Sequence, residues 1–298
     1  MEQKIEFSRT RDFGEIINDS IGFVKQNFKA LFIPLLYICS FFILASIANG
    51  IVLQIRLTNL FGVTRASVFP GLGGEGDFSS VFGIDYLLSI LFYFLTYTMV
   101  QLVTLCYIRL YKSGDNTAPT KEAVWALSKI HLLRFVFLSF LLFVLQLIAI
   151  ALCILPGIYF FPIASLIYVM IIMDDAGFEQ AFSRGFTLIK DNWWKTFGAL
   201  FVVGLIAYFA VSLFALPGTV LTLSGFFFGE SPHLVLTGSI INVVAQSFGM
   251  LLYTLPTITA AICYFSLSEE KEGTGLMERI ETLGTDTRTD TNHPDEEY

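Results

Sequence analysis

Charge is what this sequence has least of. Of its 298 residues 14% are Asp, Glu, Lys or Arg and 55% are hydrophobic, and the mean hydropathy is +0.69. A soluble domain carries about 25% charged residues to clothe its surface, so the two soluble domains that the length alone would suggest, at about 150 residues each, are excluded. The composition is that of a membrane protein. Histidine is nearly as scarce: His131, His233 and His293 are scattered and no HExxH is present, which removes the helix-borne zinc hydrolases. The four cysteines, Cys39, Cys106, Cys153 and Cys263, lie inside apolar runs with no CxxC spacing, so neither a disulfide framework nor a thiolate metal site is indicated. They read as small core or lipid-facing residues. An excess of basic charge is missing too: net charge is −7, and residues 268–298 hold all of the acidic surplus. Nucleic acid is thereby excluded as a partner, and the acidic end reads as a solvated extension.

What the chain does have is long uncharged runs: residues 30–55, 86–108, 135–173, 196–229 and 234–268. A spanning helix needs about 20 apolar residues. Four runs hold one span each, and the third holds two, divided at Leu155-Pro156-Gly157, where proline and glycine favour a reversal. The prediction is an all-α, polytopic protein with about six transmembrane helices, at 30–54, 86–108, 135–155, 157–173, 196–216 and 240–267. Pro217-Gly218 is expected to end the fifth span, leaving 219–229 as an apolar loop. Pro34, Pro162 and Pro256 are expected to kink their helices.

Sixteen of the 18 lysines and arginines fall on one side of this arrangement, with Arg56 and Arg65 opposite. The positive-inside rule then puts both termini in the cytoplasm. About 29 polar or amphipathic residues precede the first run, so no cleavable signal is expected.

An internal repeat recurs at an offset of 165 residues. Phe13, Ile16, Ile17, Ile21, Phe23, Val24 and Phe28 match Phe178, Ala181, Phe182, Phe186, Leu188, Ile189 and Trp193. Both copies have helical apolar spacing, end in Lys-x-Asn-aromatic, and run into a span. They predict interfacial amphipathic helices at 13–28 and 178–193, lying in the membrane plane. Asp12 with Glu15 has capping-box spacing. A weaker copy at 120–130 places Ala123, Ala126, Leu127 and Ile130 on one face. The chain therefore reads as three hairpins, each preceded by an interfacial helix, making one integral domain of residues 1–268 with an acidic cytoplasmic tail at 269–298. Residues 275–283 suggest a last short amphipathic helix, followed by a disordered end.

Chemistry-bearing patterns are few. Gly71-Leu72-Gly73-Gly74-Glu75-Gly76 matches GxGxxG as a string but sits in a loop rather than between a strand and a helix, so it reads as a flexible loop. Glu75, Asp77, Asp85 and Glu230 read as solvated loop acids, and His131 as an interfacial residue. No span contains an ionisable residue, where transport would usually keep one. The intramembrane polar set is Gln101, Gln146, Asn242 and Gln246, and Asn242 and Gln246 share a face as a possible polar cluster. Interhelical hydrogen bonding is the simplest role for such groups. Lys25, Asn27 and Phe28, with Lys190, Asn192, Trp193 and Trp194, are candidates for interface anchoring or lipid contact.

The stretch 178–200, FEQAFSRGFTLIKDNWWKTFGAL, resembles the "ALxxSxxLxKxNWWxxFG" pattern of the glycerophosphoryl diester phosphodiesterase membrane-domain family and related bacterial membrane proteins of unknown function. Tyr264-Phe265-Ser266-Leu267 followed by Glu270-Lys271-Glu272-Gly273 is similar to that family's "YxxLxxxxEG" exit. The resemblance implies a bacterial inner-membrane protein. In the family's name-giving members this domain accompanies a cytosolic catalytic barrel, for which about 30 residues after Ser268 leave no room, so phosphodiesterase activity is not expected to carry over. The expectation is a non-enzymatic structural or accessory component of the envelope, with a small-solute or lipid transporter or channel as the alternative. No cofactor or metal is expected. The expected partners are membrane lipids and another membrane protein or a cytoplasmic partner at the acidic tail.

Overall fold

The computed structural model describes residues 6–61, 83–114, 118–227 and 232–273. Its elements are α1 (Phe13–Phe61), α2 (Ile84–Ser113), α3 (Lys121–Leu152), α4 (Ile154–Met173), α5 (Phe178–Ile189), α6 (Trp193–Phe227) and α7 (Pro232–Gly249), then a 3₁₀ turn (Met250–Tyr253) and α8 (Thr254–Glu272). No strand occurs among the described residues. Six segments are long and apolar enough to cross a bilayer: α1, α2, α3, α4, α6 and the rod made of α7, the 3₁₀ turn and α8. At 12 residues α5 is too short to span. The chain is a multi-pass helical membrane protein.

Two segments form the centre of the bundle. Residues 98–108 of α2 and 257–268 of α8 are buried all round, as befits helices apolar on every face. α1, α3, α4 and α6 surround them and turn large side chains outward, among them Phe41, Leu44, Phe137, Phe140, Phe209 and Phe214. In water so much exposed apolar surface would be an association hazard; beside lipid tails it is the expected boundary. The enclosed core lies toward the end bearing Arg11, Arg109, Arg184 and Lys271, here called the basic end.

Helix starts follow local chemistry. The Asp12 backbone N–H donates to Glu15 Oε2 at 2.9 Å, half of the expected capping box, and fixes the start of α1. Thr120 Oγ1 accepts from the Ala123 N–H at 3.4 Å and caps α3. The reversal between α3 and α4 sits at Cys153, whose backbone is extended at φ −169° and ψ 147°, two residues ahead of the expected Leu155-Pro156-Gly157. Pro156 instead occupies the first turn of α4, where a missing N–H costs nothing.

Four other expectations are corrected. Residues 13–28 are not a separate helix: α1 runs unbroken for 49 residues, about 73 Å at 1.5 Å per residue, and its first turns pack on α2 and α8, with Phe23 edge-on to Tyr107 and Tyr111. The repeat at 178–193 does break, after Ile189. Position 191, an Asp whose carboxylate accepts from Lys271 at 2.8 Å, lies in the turn that follows, whereas its counterpart Gln26 lies inside α1. Residues 120–130 are continuous with α3, and their buried stripe is Val124, Ser128 and His131 rather than the expected face, of which Ile130 is 75% exposed. Pro217 does not end its helix, since α6 continues to Phe227. The last run likewise holds two helical stretches, because α7 begins at Pro232, ahead of the expected 240.

The last two corrections have one cause, the close pairing of α6 with α7. A methyl group placed on Gly218 would lie 2.7 Å from the Gly238 carbonyl oxygen, and one on Gly238 would lie 2.5 Å from the Thr222 nitrogen. Only glycine lets these backbones approach so closely. With its amide nitrogen turned toward α6, Asn242 donates to the Ala215 carbonyl at 2.7 Å, and Thr219 Oγ1 donates to the same oxygen at 3.0 Å. The Ala215 carbonyl, two residues before the proline, thus has partners without water.

Candidate functional site

The interface-anchoring candidates divide between inward and outward positions. Lys25 and Lys190 are exposed. Phe28 is 55% exposed and stacks on Phe32 at 4.5 Å, and Trp194 is 78% exposed. Asn27 is buried: its Nδ2 donates to the Phe23 carbonyl at 3.2 Å and its Oδ1 accepts from the Tyr107 hydroxyl at 3.3 Å. Asn192 Nδ2 donates to Glu270 Oε1 at 3.2 Å. Trp193 is half-buried between Tyr159 and Phe197, and its indole N–H donates to the Tyr159 carbonyl at 3.1 Å. So Asn27, Asn192 and Trp193 join helices to one another, while Phe28 and Trp194 face outward.

Asn242 and Gln246 do not form a joint polar cavity. Asn242 is engaged with α6 as described, whereas Gln246 is exposed beside a void of about 160 Å³ that Ser46, Gln54 and Ser89 also line. Gln146 Nε2 donates to the Gly157 carbonyl at 2.9 Å, tying α3 to α4. Gln101 is buried next to Tyr97 and Tyr168.

The basic end holds an ion-pair network that joins residues far apart in the chain. Asp174 and Asp175, between α4 and α5, are its hub. Asp175 Oδ2 accepts from Arg109 Nη2 at 2.6 Å, and Oδ1 lies 3.6 Å from His131 Nδ1. Arg109 also donates to the Ile172 carbonyl at 2.8 Å, and Arg134 donates to the Asp175 carbonyl at 3.0 Å. Asp174 Oδ2 accepts from Arg184 Nη1 and from the Tyr264 hydroxyl, both at 2.6 Å. Arg184 grips Glu272 with a two-pronged bond of 3.1 and 2.6 Å, the planar fork-on-carboxylate geometry that arginine favours. Lys271 donates to Asp191 at 2.8 Å and to the Thr187 carbonyl at 3.0 Å. Beside this group, Arg11 is the largest fully buried side chain. It donates to Asp19 and to the Phe7 carbonyl, each at 2.8 Å, while its backbone N–H donates to Ser266 Oγ.

The electrostatics follow from these contacts. The hydrogen bond from Arg109 holds the Asp175 carboxyl below its ordinary range. Lys271 does the same for Asp191, and Glu272 raises Arg184 above the usual guanidinium value. Burial pulls Arg11 down, with Asp19 opposing. Among the described residues no three His, Cys, Asp or Glu side chains are grouped to hold a metal. Of the loop acids, Asp85 accepts from Arg56 at 2.7 Å, whereas Glu75, Asp77, Glu230, Arg65, the Gly71–Gly76 string and residues 275–283 lie outside the described residues. Cys39, Cys106 and Cys263 are buried and Cys153 is exposed, all free thiols.

A cavity of about 570 Å³ opens between α2, α3 and α4 and is backed by the 3₁₀ turn. Tyr93, Tyr97, Tyr168 and Tyr253 line it, with Phe94, Phe143, Ser89 and Thr98. The sequence reading missed both this cavity and the network. The signals were Tyr93 and Tyr97 one helical turn apart in an apolar run, and an Asp-Asp doublet directly after a span on the side crowded with cations. Comparisons with protein families, with curated proteins and with solved structures find no match for this chain.

Proposed function

We propose that this chain is a non-enzymatic structural or accessory component of a bacterial inner membrane, with both termini cytoplasmic. One observation carries the reading. Among the described residues, the charged groups of the basic end are bonded to one another across elements, Asp174 to Arg184 and Tyr264, Asp175 to Arg109 and Glu272 to Arg184, and Asn242 is bonded within its own hairpin. Carboxylates committed to cations on other elements act as ties between helices, which is what a structural or accessory part asks of them. The resemblance of 178–200 to a bacterial membrane domain and the 16-to-2 distribution of cations support the compartment and the orientation.

In this reading the segments 13–28, 120–130 and 178–193 are related units that brace the hairpins where membrane meets cytoplasm. Each buries a stripe at i, i+4 and i+7: Ile16, Ser20 and Phe23; Val124, Ser128 and His131; Ala181, Gly185 and Leu188. The outward Phe28, Ile130 and Trp194 meet the lipid interface. The alternative is a small-solute or lipid carrier, and what favours it is the 160 Å³ void among Gln54, Ser89 and Gln246. Reconstituted vesicles decide between the two. Purified protein should neither hydrolyse glycerophosphodiesters nor raise the flux of entrapped glycerol or amino acids above that of empty vesicles. Flux lost on Gln246→Leu would establish the carrier, and turnover lost on Asp174→Asn would establish an enzyme.

A further inference from the structure

We infer that the tyrosine-lined cavity is a binding site for one acyl chain of a bilayer phospholipid, which enters sideways from the leaflet at the end opposite the basic one. The inference is independent of the accessory role proposed above and rests on position, lining and unspent hydrogen-bonding capacity.

Position comes first. All but one of the lining residues belong to the membrane-spanning helices α2, α3 and α4, and Tyr253 to the rod. Its mouth is marked by Ile90, Tyr93 and Phe143, each well exposed on the lipid-facing surface. What lies against that mouth is therefore hydrocarbon rather than water. From Ser89 to Thr98 the lining runs about 13 Å along α2 at 1.5 Å per residue, beginning near the helix's first turns and ending where the core closes. An extended chain fits such a slot better than a compact solute does.

Size and chemistry agree. A volume of about 570 Å³ falls within the range of pockets that enclose a small ligand. Among the described residues no charged side chain lines it, so a charged headgroup would be buried unpaired at high cost, and only the tail of a lipid suits the interior. Among the described residues the hydroxyls of Tyr93 and Tyr253 have no hydrogen-bond partner, whereas Ser89 Oγ is held by the Asp85 carbonyl and the Asn49 amide. Tyrosine joins an apolar body to a polar tip. Tyr93, near the mouth, can donate to an ester carbonyl while the rings of Tyr97, Tyr168 and Phe143 enclose the methylenes. The 3₁₀ turn supplies the back wall: it interrupts the rod at Met250–Tyr253 and brings Tyr253 edge-on to Tyr97, with centroids 5.8 Å apart. A short 3₁₀ stretch inside a long helix often marks a functional position.

The test uses the full chain in vesicles of phosphatidylethanolamine and phosphatidylglycerol that contain a phosphatidylcholine with a diazirine in one acyl chain. After irradiation the adducts are mapped by peptide mass spectrometry. Adducts on Tyr93, Tyr97, Tyr168 or Tyr253 should exceed those on the lipid-facing Leu213 and Phe214 of α6 at least fivefold. Ile90→Trp with Phe143→Trp, which fill the mouth, should remove that excess, and Tyr93→Phe with Tyr253→Phe should reduce it severalfold while keeping the shape. Adducts no denser in the cavity than on α6 of the wild-type protein would overturn the proposal, as would an excess that survives the filled mouth in a protein of unchanged thermal stability.

Discussion

Asp175 stands at φ 52°, alone in that region among the described non-glycine residues. Aspartate tolerates the left-handed conformation better than most residues, and here that conformation turns the carboxylate toward Arg109 and His131 while the backbone carbonyl meets Arg134. Its side chain is 47% exposed, so solvent screens the pair, and Asp175→Ala should cost about 1 kcal/mol at neutral pH. The sign of the pH dependence follows from the lowered pKa. A carboxyl that ionises more readily when folded contributes its stability above the unfolded group's titration and loses it as pH falls through the folded value. The difference in thermal midpoint between wild type and Asp175→Ala should be constant from pH 6 to 8 and shrink below pH 4. A difference that stayed undiminished below pH 4 would mean that the carboxylate is not held by Arg109.

Among the elements, the α6–α7 hairpin depends most on residue size. Gly218→Ala would put a methyl group 2.7 Å from backbone at Gly238, forcing the helices apart at a cost of about 1–3 kcal/mol. Gly204 in the same α6 has nothing within 4 Å of its missing Cβ, so Gly204→Ala should be neutral or slightly stabilising through helix propensity. Thermal unfolding of the two variants in detergent separates packing from propensity, and equal losses would contradict the close approach. This hairpin also shows where sequence reading stops. Proline at 217 looked like a helix end because the local rule is sound; Gly238 and the Asn242 amide, which with Gly218 override it, come from a second helix about 20 residues on. Likewise the repeat pattern could not separate, in α1, the protein-facing edge carrying Ile16 and Phe23 from the flank carrying Phe13 and Phe28. Both edges are apolar when the surroundings are lipid on one side and protein on the other. Arg184 of α5 and Asp191 just beyond it are bound to Asp174, Glu272 and Lys271, partners that no local spacing indicates.

At the scale of the molecule, six crossings were legible because the span of an uncharged run is set by bilayer thickness, a constraint that needs no tertiary knowledge. The network joining positions 109, 131, 134 and 175 was not, because no local spacing links residues on two helices and a loop. Together the two describe one arrangement: lipid-facing helices around the buried halves of α2 and α8, tied at the basic end by charges that the spans exclude. If that end is cytoplasmic, the long segment between α1 and α2 lies on the opposite side from everything beyond α8. The direct test is a pair of single-cysteine variants, Ser79→Cys and Thr287→Cys, in a background with the exposed Cys153 replaced by serine, treated in intact cells and in inverted vesicles with a membrane-impermeant maleimide. The account predicts that Ser79→Cys reacts in intact cells and Thr287→Cys only in inverted vesicles; labelling of both from the same side would contradict it.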